Sequence, residues 1–156
     1  MEPIPSLILV RHGLAGPEAG KAPALTPHGV LGVLQAADSL KRKGVTPLRI
    51  LHSPKKRTRE TAGHLADALG IPRTRLVERK DLGPDAVAED CLMELEHDPE
   101  GTVIWVSHLP TLQVIARHLL ANDAESLHFP PAGMAALGRV GSTMWRVLWT
   151  RPARQI

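Results

Sequence analysis

Short apolar runs alternate along the chain with longer stretches in which apolar residues recur every three to four positions. The short runs predict β-strands at about residues 6–10, 48–52, 75–77 and 102–106. The longer stretches predict α-helices over about residues 27–43, 56–69, 86–97 and 111–120. Strands that alternate with helices in this way are typical of a layered α/β fold with a largely parallel sheet.

The boundaries of the first helix carry residues that usually begin and end helices. Thr26 precedes Pro27, which suits an N-cap followed by proline in the first turn. Lys41-Arg42-Lys43 and then Gly44 suit the last turn and the C-terminal cap. We therefore interpret this basic run as a solvated helix end rather than a binding patch.

The C-terminal part of the chain changes character. Residues 134–140 and 143–149 read as two strands of a β-hairpin, with Gly141-Ser142 between them. We therefore expect a three-layer α/β/α sandwich with a largely parallel central sheet and a C-terminal antiparallel hairpin at one edge. The length of 156 residues fits a single domain that spans residues 1–156.

Composition narrows the class of protein. No apolar run reaches the roughly 18 residues of a membrane span, and the start of the chain lacks the pattern of a secretory signal. Cys91 is the only cysteine, so we expect a core thiol in a reducing, cytoplasmic compartment. The net charge of +3 comes with one Phe and no Tyr, which argues against a nucleic-acid surface and fits a basic pocket for a phosphorylated substrate.

Candidate catalytic residues follow three of the predicted strands. Arg11-His12-Gly13 comes after the first strand, Ser53-Pro54-Lys55-Lys56-Arg57 after the second, and Ser107-His108 after the fourth. Because open α/β sheets bind ligands at the carboxyl ends of their strands, we expect these side chains to meet. Two histidines and two arginines suit an anionic group, and the other histidines lack the clustered spacing of a metal site.

These segments, together with Leu25-Thr26-Pro27-His28-Gly29, resemble the motifs of the histidine phosphatase superfamily, whose members include the phosphoglycerate mutases. The match runs in order along nearly the whole chain. Within the superfamily, the short length and the segment Val106-Ser107-His108-Leu109-Pro110 look most like the SixA-type phosphohistidine phosphatases. The resemblance implies a hydrolase that needs neither metal nor cofactor.

The resemblance also implies a role for each central residue. His12 would become phosphorylated, and water would then hydrolyse the phosphoenzyme. Arg11 and Arg57 would bind the phosphate, since a forked guanidinium holds two oxygens at once. His108 would donate a hydrogen bond as negative charge grows in the transition state.

A general acid is harder to assign. Glu78 and Asp81 both follow the third strand, and Asp81 is preferred because it resembles an acidic residue of the SixA-type proteins. Either carboxylate could equally be a surface charge. Phosphohistidine makes the acid less necessary, because a protonated imidazole leaves as a neutral ring. Ser53 is interpreted as a cap of the second helix, and Ser107 as structural.

Three functions remain open from the sequence. The leading hypothesis is a phosphatase that removes phosphate from phosphohistidine on a signalling protein. The alternatives are a small-molecule phosphomonoesterase of the same superfamily and a non-catalytic phosphate-binding module. Short intervals between Arg57 and His108, and between His12 and Thr26, leave little chain for a roof, so we expect an open site.

Overall fold

The helices and strands that the apolar pattern predicts occur in the predicted order along the chain. The computed structural model describes residues 3–18, 20–97, 101–141 and 143–153. Its helices are α1 (Pro27–Arg42), α2 (Lys56–Leu69), α3 (Glu89–His97) and α4 (Thr111–Leu120). Its strands are β1 (Leu7–Arg11), β2 (Ala15–Glu18), β3 (Lys21–Leu25), β4 (Arg49–His52), β5 (Leu76–Glu78), β6 (Val103–Ser107), β7 (Met134–Val140) and β8 (Met144–Arg151).

Six of these strands form one mixed sheet in the order β5-β4-β6-β1-β7-β8. Strands β5, β4, β6 and β1 run parallel, so their carboxyl ends lie along one edge. Strand β7 pairs antiparallel with β1, and β8 pairs antiparallel with β7. The predicted parallel sheet with a C-terminal antiparallel hairpin is therefore confirmed.

Both faces of the sheet are covered by helices, because successive side chains of a strand point to opposite faces. Leu7 and Leu9 of β1 pack in a core with α3 and α4, whereas Ile8 and Val10 pack in a second core with α1 and α2. This places β1 and β6, both fully buried along most of their length, at the centre of a three-layer structure. Within the described ranges, no helix has the length and apolar character that a membrane span needs.

The structure corrects two expectations. The third helix begins at Glu89 rather than near residue 86, because the backbone before it turns through positive φ at Asp85 (63°) and Ala88 (54°). A separate hairpin, formed by β2 and β3, lies between the first strand and α1 and was not predicted. The sequence does not indicate this hairpin because its strands contain Pro17 and Pro23, and proline is depleted in strands.

Candidate active site

His12 lies directly after β1, and its ring is oriented by the backbone next to it. Nδ1 lies 2.8 Å from the carbonyl oxygen of Gly13. Because a carbonyl can only accept, Nδ1 carries the proton and Nε2 keeps a lone pair. The backbone N–H of His12 donates to the carbonyl of Ser107, 3.2 Å away, which ties this turn to the end of β6. The arrangement leaves a nucleophilic nitrogen free.

Close packing explains the glycines of two motifs. A Cβ on Gly13 would lie 2.7 Å from Cγ2 of Val33 and 3.0 Å from the carbonyl oxygen of Gly29. A Cβ on Gly29, in the first turn of α1, would overlap the backbone of Leu14. Helix α1 can therefore press against the His12 turn only because neither position has a side chain.

Helix α2 holds the same turn from another side. The backbone N–H of Gly13 donates to Oγ1 of Thr61 at 3.0 Å, and that hydroxyl donates to the carbonyl of Arg57 at 2.8 Å. Both contacts lie on the first half of α2, where Arg57 is half-buried. The turn that contains His12 and Gly13 and the first turn of α2 are thus joined through the buried hydroxyl of Thr61.

His108 follows β6 and lies beside His12. Their ring centroids are 5.2 Å apart, with the planes tilted by 59°. His108 is only 2% exposed. Its Nε2 lies 2.7 Å from Oγ of Ser53. Its Nδ1 is buried, and no described residue provides a hydrogen-bond partner for it. The structure therefore brings the two histidines close enough to contact one phosphate-sized anion.

Ser53 has a different environment from the one that the sequence suggested. The N-cap of α2 is Lys55, with no side-chain cap, so the helix-cap interpretation of Ser53 is wrong. Ser53 is fully buried, and its Oγ contacts His108 and lies 2.6 Å from Oγ1 of Thr58. Thr58 was missed by the sequence analysis. A polar residue five positions after Ser53, on the buried face of α2, was the available signal.

The two arginines bring positive charge to the histidines. Arg11 donates from Nη1 to the carbonyl of Phe129 at 2.9 Å, and its Nε is buried without a partner among the described residues. Burial lowers the pKa of the Arg11 guanidinium, which stays protonated at neutral pH. The charge of Arg57 acts on both His12 and His108, so Arg57 lies near the pair.

Burial and charge keep both imidazoles neutral. The pKa of His12 is lowered, first by burial and then by Arg57 and Arg11, against the opposing effect of the Gly13 carbonyl. The pKa of His108 is lowered to about 3, first by burial and then by neighbouring positive charge, Arg57 foremost. A neutral His12 is a nucleophile, whereas an imidazolium is not.

The structure places Asp81 against α3. Its Oδ2 accepts from the backbone N–H of Cys91 at 2.8 Å, and its Oδ1 accepts from the Cys91 thiol at 3.3 Å. Arg79 lies 3.7 Å from the same Oδ1. Burial, and then the Asp81 carboxylate, raise the pKa of the Cys91 thiol, which is buried as expected. Both oxygens of Asp81 therefore contact residues outside the histidine pair.

Glu78, the other candidate acid, lies at the edge of the sheet. It ends β5, an edge strand that is separated from β1 by β4 and β6, or about 14 Å at the usual strand spacing. The segment after β5 turns back toward β6, because Ser107 donates to the carbonyl of Leu82 at 2.5 Å and Thr111 donates to the carbonyl of Gly83 at 2.6 Å. The structural interpretation of Ser107 is confirmed.

Unpartnered buried nitrogens show what this site can bind. Among the described residues, buried side-chain nitrogens without a partner occur at Arg11, Trp105, His108 and Arg139. Two of these four belong to the site, and both can present an N–H. In the same residues there is no group of three or more His, Cys, Asp or Glu side chains placed to hold a metal ion. The available donors suit an oxyanion.

The comparisons with known proteins agree with this geometry. The family model of the histidine phosphatase superfamily (branch 1) matches residues 7–82, which include Arg11, His12, Ser53 and Arg57. No curated protein matches the chain in sequence. The protein histidine phosphatase SixA, solved with tungstate, has a TM-score of 0.82 and 23% identity, covering 92% of this chain and 94% of that one.

Two further solved structures have the same fold. A putative phosphohistidine phosphatase SixA from Agrobacterium tumefaciens has a TM-score of 0.77 and 24% identity, covering 96% of this chain and 98% of that chain. A mycobacterial glucosyl-3-phosphoglycerate phosphatase has a TM-score of 0.69 and 20% identity, covering 92% and 96%. The matches confirm the resemblance to the histidine phosphatase superfamily and to its SixA-type members. The family model and the shared fold together support a phosphatase, a hydrolase.

Proposed function

We propose that the protein removes phosphate from phosphohistidine on a signalling protein, through a covalent phosphohistidine on His12 and without a metal ion. The observation that carries this proposal is the pairing of His12 and His108 at 5.2 Å, beside buried nitrogens of Arg11 and His108 that have no partner among the described residues. In this proposal one domain acts in the cytoplasm, where its single cysteine stays reduced.

The first step is attack by His12 on the substrate phosphorus. The Gly13 carbonyl holds the Nδ1 proton, so the Nε2 lone pair forms the new N–P bond as the P–N bond of the substrate breaks. The leaving imidazole keeps its electron pair and departs as a neutral ring when its other nitrogen is protonated. Water then attacks the phosphorus, the bond to His12 breaks, and inorganic phosphate leaves.

Arg11, Arg57 and His108 stabilise the phosphoryl group as it is transferred. The two guanidiniums offset the charge of the oxygens, and their forked geometry holds two oxygens each. His108 donates one more hydrogen bond from its unpartnered Nδ1. Donors that are already fixed before the reaction need no reorganisation in the transition state.

Asp81 is the proposed general acid for substrates whose leaving group is an alkoxide. In the structure its carboxylate contacts Cys91 and Arg79, so this role requires the side chain to leave at least one of those contacts. A phosphohistidine substrate does not need this movement, because its leaving group requires no proton from the enzyme. The engagement of Asp81 therefore favours P–N bonds over phosphomonoesters.

A small-molecule phosphomonoesterase is the second candidate. The observation that favours it is the shared fold with the mycobacterial glucosyl-3-phosphoglycerate phosphatase. A phosphorylated metabolite would occupy the same histidine pair and the same arginines. The two candidates differ in the leaving group, and therefore in how strongly they depend on Asp81.

The decisive experiment compares substrates on the purified protein with a strong chelator present. We expect turnover of a phosphohistidine-bearing protein domain to exceed that of a metabolite panel, and we expect vanadate or tungstate to inhibit it. Loss of activity on chelation would contradict the metal-free mechanism. Activity on metabolites alone would favour the second candidate, and tungstate binding without turnover of any phosphate would indicate a binding module.

A further inference from the structure

The hydroxyl beside His108 belongs to a hydrogen-bond network in which each hydrogen has a definite direction. Thr58 Oγ1 lies 2.8 Å from the carbonyl oxygen of Lys55 and 3.0 Å from that of Ser53, so its single hydrogen is donated to these carbonyls. Ser53 Oγ lies 2.6 Å from Thr58 Oγ1 and is therefore the donor of that pair. Because this uses the only hydrogen of the Ser53 hydroxyl, its oxygen can only accept from its other neighbours.

Two N–H groups donate to the Ser53 oxygen. The backbone N–H of Lys55 lies 3.3 Å from it. Nε2 of His108 lies 2.7 Å from it, so this ring nitrogen carries a hydrogen and donates. A hydroxyl oxygen has two lone pairs, so these two bonds complete its hydrogen bonding. Ser53 and Thr58 are both fully buried, and a bond left unmade there would be costly, so the network holds the proton of His108 on Nε2.

A neutral His108 therefore presents a lone pair to the site, and not an N–H group. The ring has one proton in the free protein at neutral pH, because burial, followed by nearby positive charge, lowers its pKa to about 3. With that proton on Nε2, Nδ1 has a lone pair and no partner among the described residues. An oxyanion also presents lone pairs, so the two would repel each other. His108 can donate to an anion only after Nδ1 gains a proton.

An anion at the site would reverse what keeps His108 neutral. After burial, the groups that lower the pKa of this ring are Arg57, His12, Lys55 and Arg11. Two further ionisable side chains are directed elsewhere: Nδ1 of His52 lies 2.9 Å from the Ser53 carbonyl oxygen, and the Asp81 carboxylate contacts Cys91. A dianion offsets the neighbouring positive charge and offers an acceptor to Nδ1–H. Both changes favour the charged ring.

We propose that Ser53 is a positioning residue that keeps the His108 proton on Nε2, so that the site binds a dianionic oxyanion together with one proton. The proton comes from solvent and joins the Nδ1 lone pair. Both ring nitrogens then donate, Nε2–H to Ser53 and Nδ1–H to the anion. Because the complex holds one proton more than the separate partners, binding weakens as the pH rises. The effect on catalysis rests on the proposed function, whereas proton uptake on anion binding does not.

The test uses tungstate, a dianion that brings no proton of its own at neutral pH. Calorimetric titrations in buffers of different ionisation enthalpy measure the protons taken up, and ring ¹⁵N signals, assigned with His108→Gln, report the protonation of His108. We expect Nε2–H alone in the free protein and both N–H groups in the complex, with about one proton taken up per tungstate at about pH 7. The affinity for tungstate should fall by up to about tenfold per pH unit above this.

Two substitutions separate the ring from its positioning residue. His108→Gln should abolish the proton uptake and remove the pH dependence of tungstate affinity. Ser53→Ala removes the acceptor of Nε2–H, so the ring proton is free to lie on Nδ1. This variant should therefore bind tungstate with much less proton uptake. A residue that only supports the fold would not change the number of protons taken up.

The matched control is His118→Gln, on the exposed side of α4, which should keep the proton uptake. If Ser53→Ala does not fold, the ¹⁵N signals of the unmodified protein carry the test. A ring proton on Nδ1 in the free protein, a complex that forms without proton uptake, or unchanged uptake in Ser53→Ala would overturn the proposal. Proton uptake without turnover of an aryl phosphate or of a phosphohistidine-bearing domain would support it and reject the proposed function. Turnover without proton uptake on tungstate binding would do the reverse, and failure of tungstate to bind would reject both.

Discussion

Two strand ends of this protein hold a reactive side chain in opposite ways. At the end of β1, the backbone carbonyl of Gly13 engages one nitrogen of His12 and leaves the other free. After β5, Cys91 and Arg79 engage both oxygens of Asp81. His12 therefore has one ring nitrogen free to react. The Asp81 carboxylate instead stabilises the first turn of α3, whose backbone N–H groups need an acceptor.

This difference suggests how one fold separates substrates. A site with a prepared nucleophile and an engaged acid should attack many phosphoryl groups but release only good leaving groups. Phosphohistidine has such a leaving group, and an alkyl phosphate does not. The difference between His12 and Asp81 therefore predicts that P–N bonds are cleaved more readily than P–O bonds. Substitutions at the site test this prediction.

Replacing His12, the proposed nucleophile, should have the largest effect. His12→Ala removes the only nitrogen that the proposal allows to bond to phosphorus, so turnover should fall to background on every substrate. ³¹P NMR or mass spectrometry at neutral pH, where an N–P bond survives, should detect no phosphoenzyme. The matched control is His118→Ala, on the exposed side of α4, which should keep both activity and phosphoenzyme. Substantial residual turnover would show that another residue is the nucleophile.

The second largest effect should come from replacing Arg57, which we propose to bind the phosphate. Arg57→Lys keeps the charge but loses the forked pair of donors, so kcat/KM should fall about 100-fold. Arg59→Lys makes the same change at an exposed position of α2 and should have little effect. Equal, small losses of kcat/KM in the two variants would show that Arg57 contributes only its positive charge and no forked hydrogen bonds. Only the two histidines would then be specifically positioned for the reaction.

The sequence predicted the sheet well because strands depend on local signals. An apolar run followed by Arg11-His12-Gly13 indicates a strand end regardless of the rest of the chain. The contacts of Asp81 and Ser53 depend instead on partners such as Cys91 and His108, which are distant in the sequence or on another element. The β2–β3 hairpin was missed because its prolines contradict ordinary strand propensity.

Replacing Asp81, the proposed general acid, tests the second side chain of the comparison with His12. Asp81→Asn keeps an oxygen for the Cys91 N–H but cannot donate as a carboxylic acid does. We expect about a tenfold loss on alkyl or poorly activated aryl phosphates, less than general acids usually contribute because the carboxylate is engaged with Cys91. Phosphohistidine turnover should change much less. Equal slowing on both substrate classes would contradict the leaving-group argument, and no slowing would point to Glu78 or to no acid.

The smallest effect is expected from lowering the pH moderately, and it follows because the rings of His12 and His108 are both neutral. The folded protein binds a proton on His12 and His108 less readily than an unfolded chain, where histidine has a pKa near 6.5. At neutral pH both rings should therefore be mainly unprotonated in ¹H–¹⁵N spectra, which keeps the Nε2 lone pair of His12 available. Below about 6.5 the unfolded state takes up more protons, so the free energy of unfolding should decrease as the pH falls, because burial and nearby positive charge lower the pKa of His108 to about 3. In His108→Gln this decrease should be shallower than in the unmodified protein. A ring of His12 or His108 that protonates near pH 6.5 would show that the site is more hydrated than its burial indicates, and would weaken the contrast with Asp81.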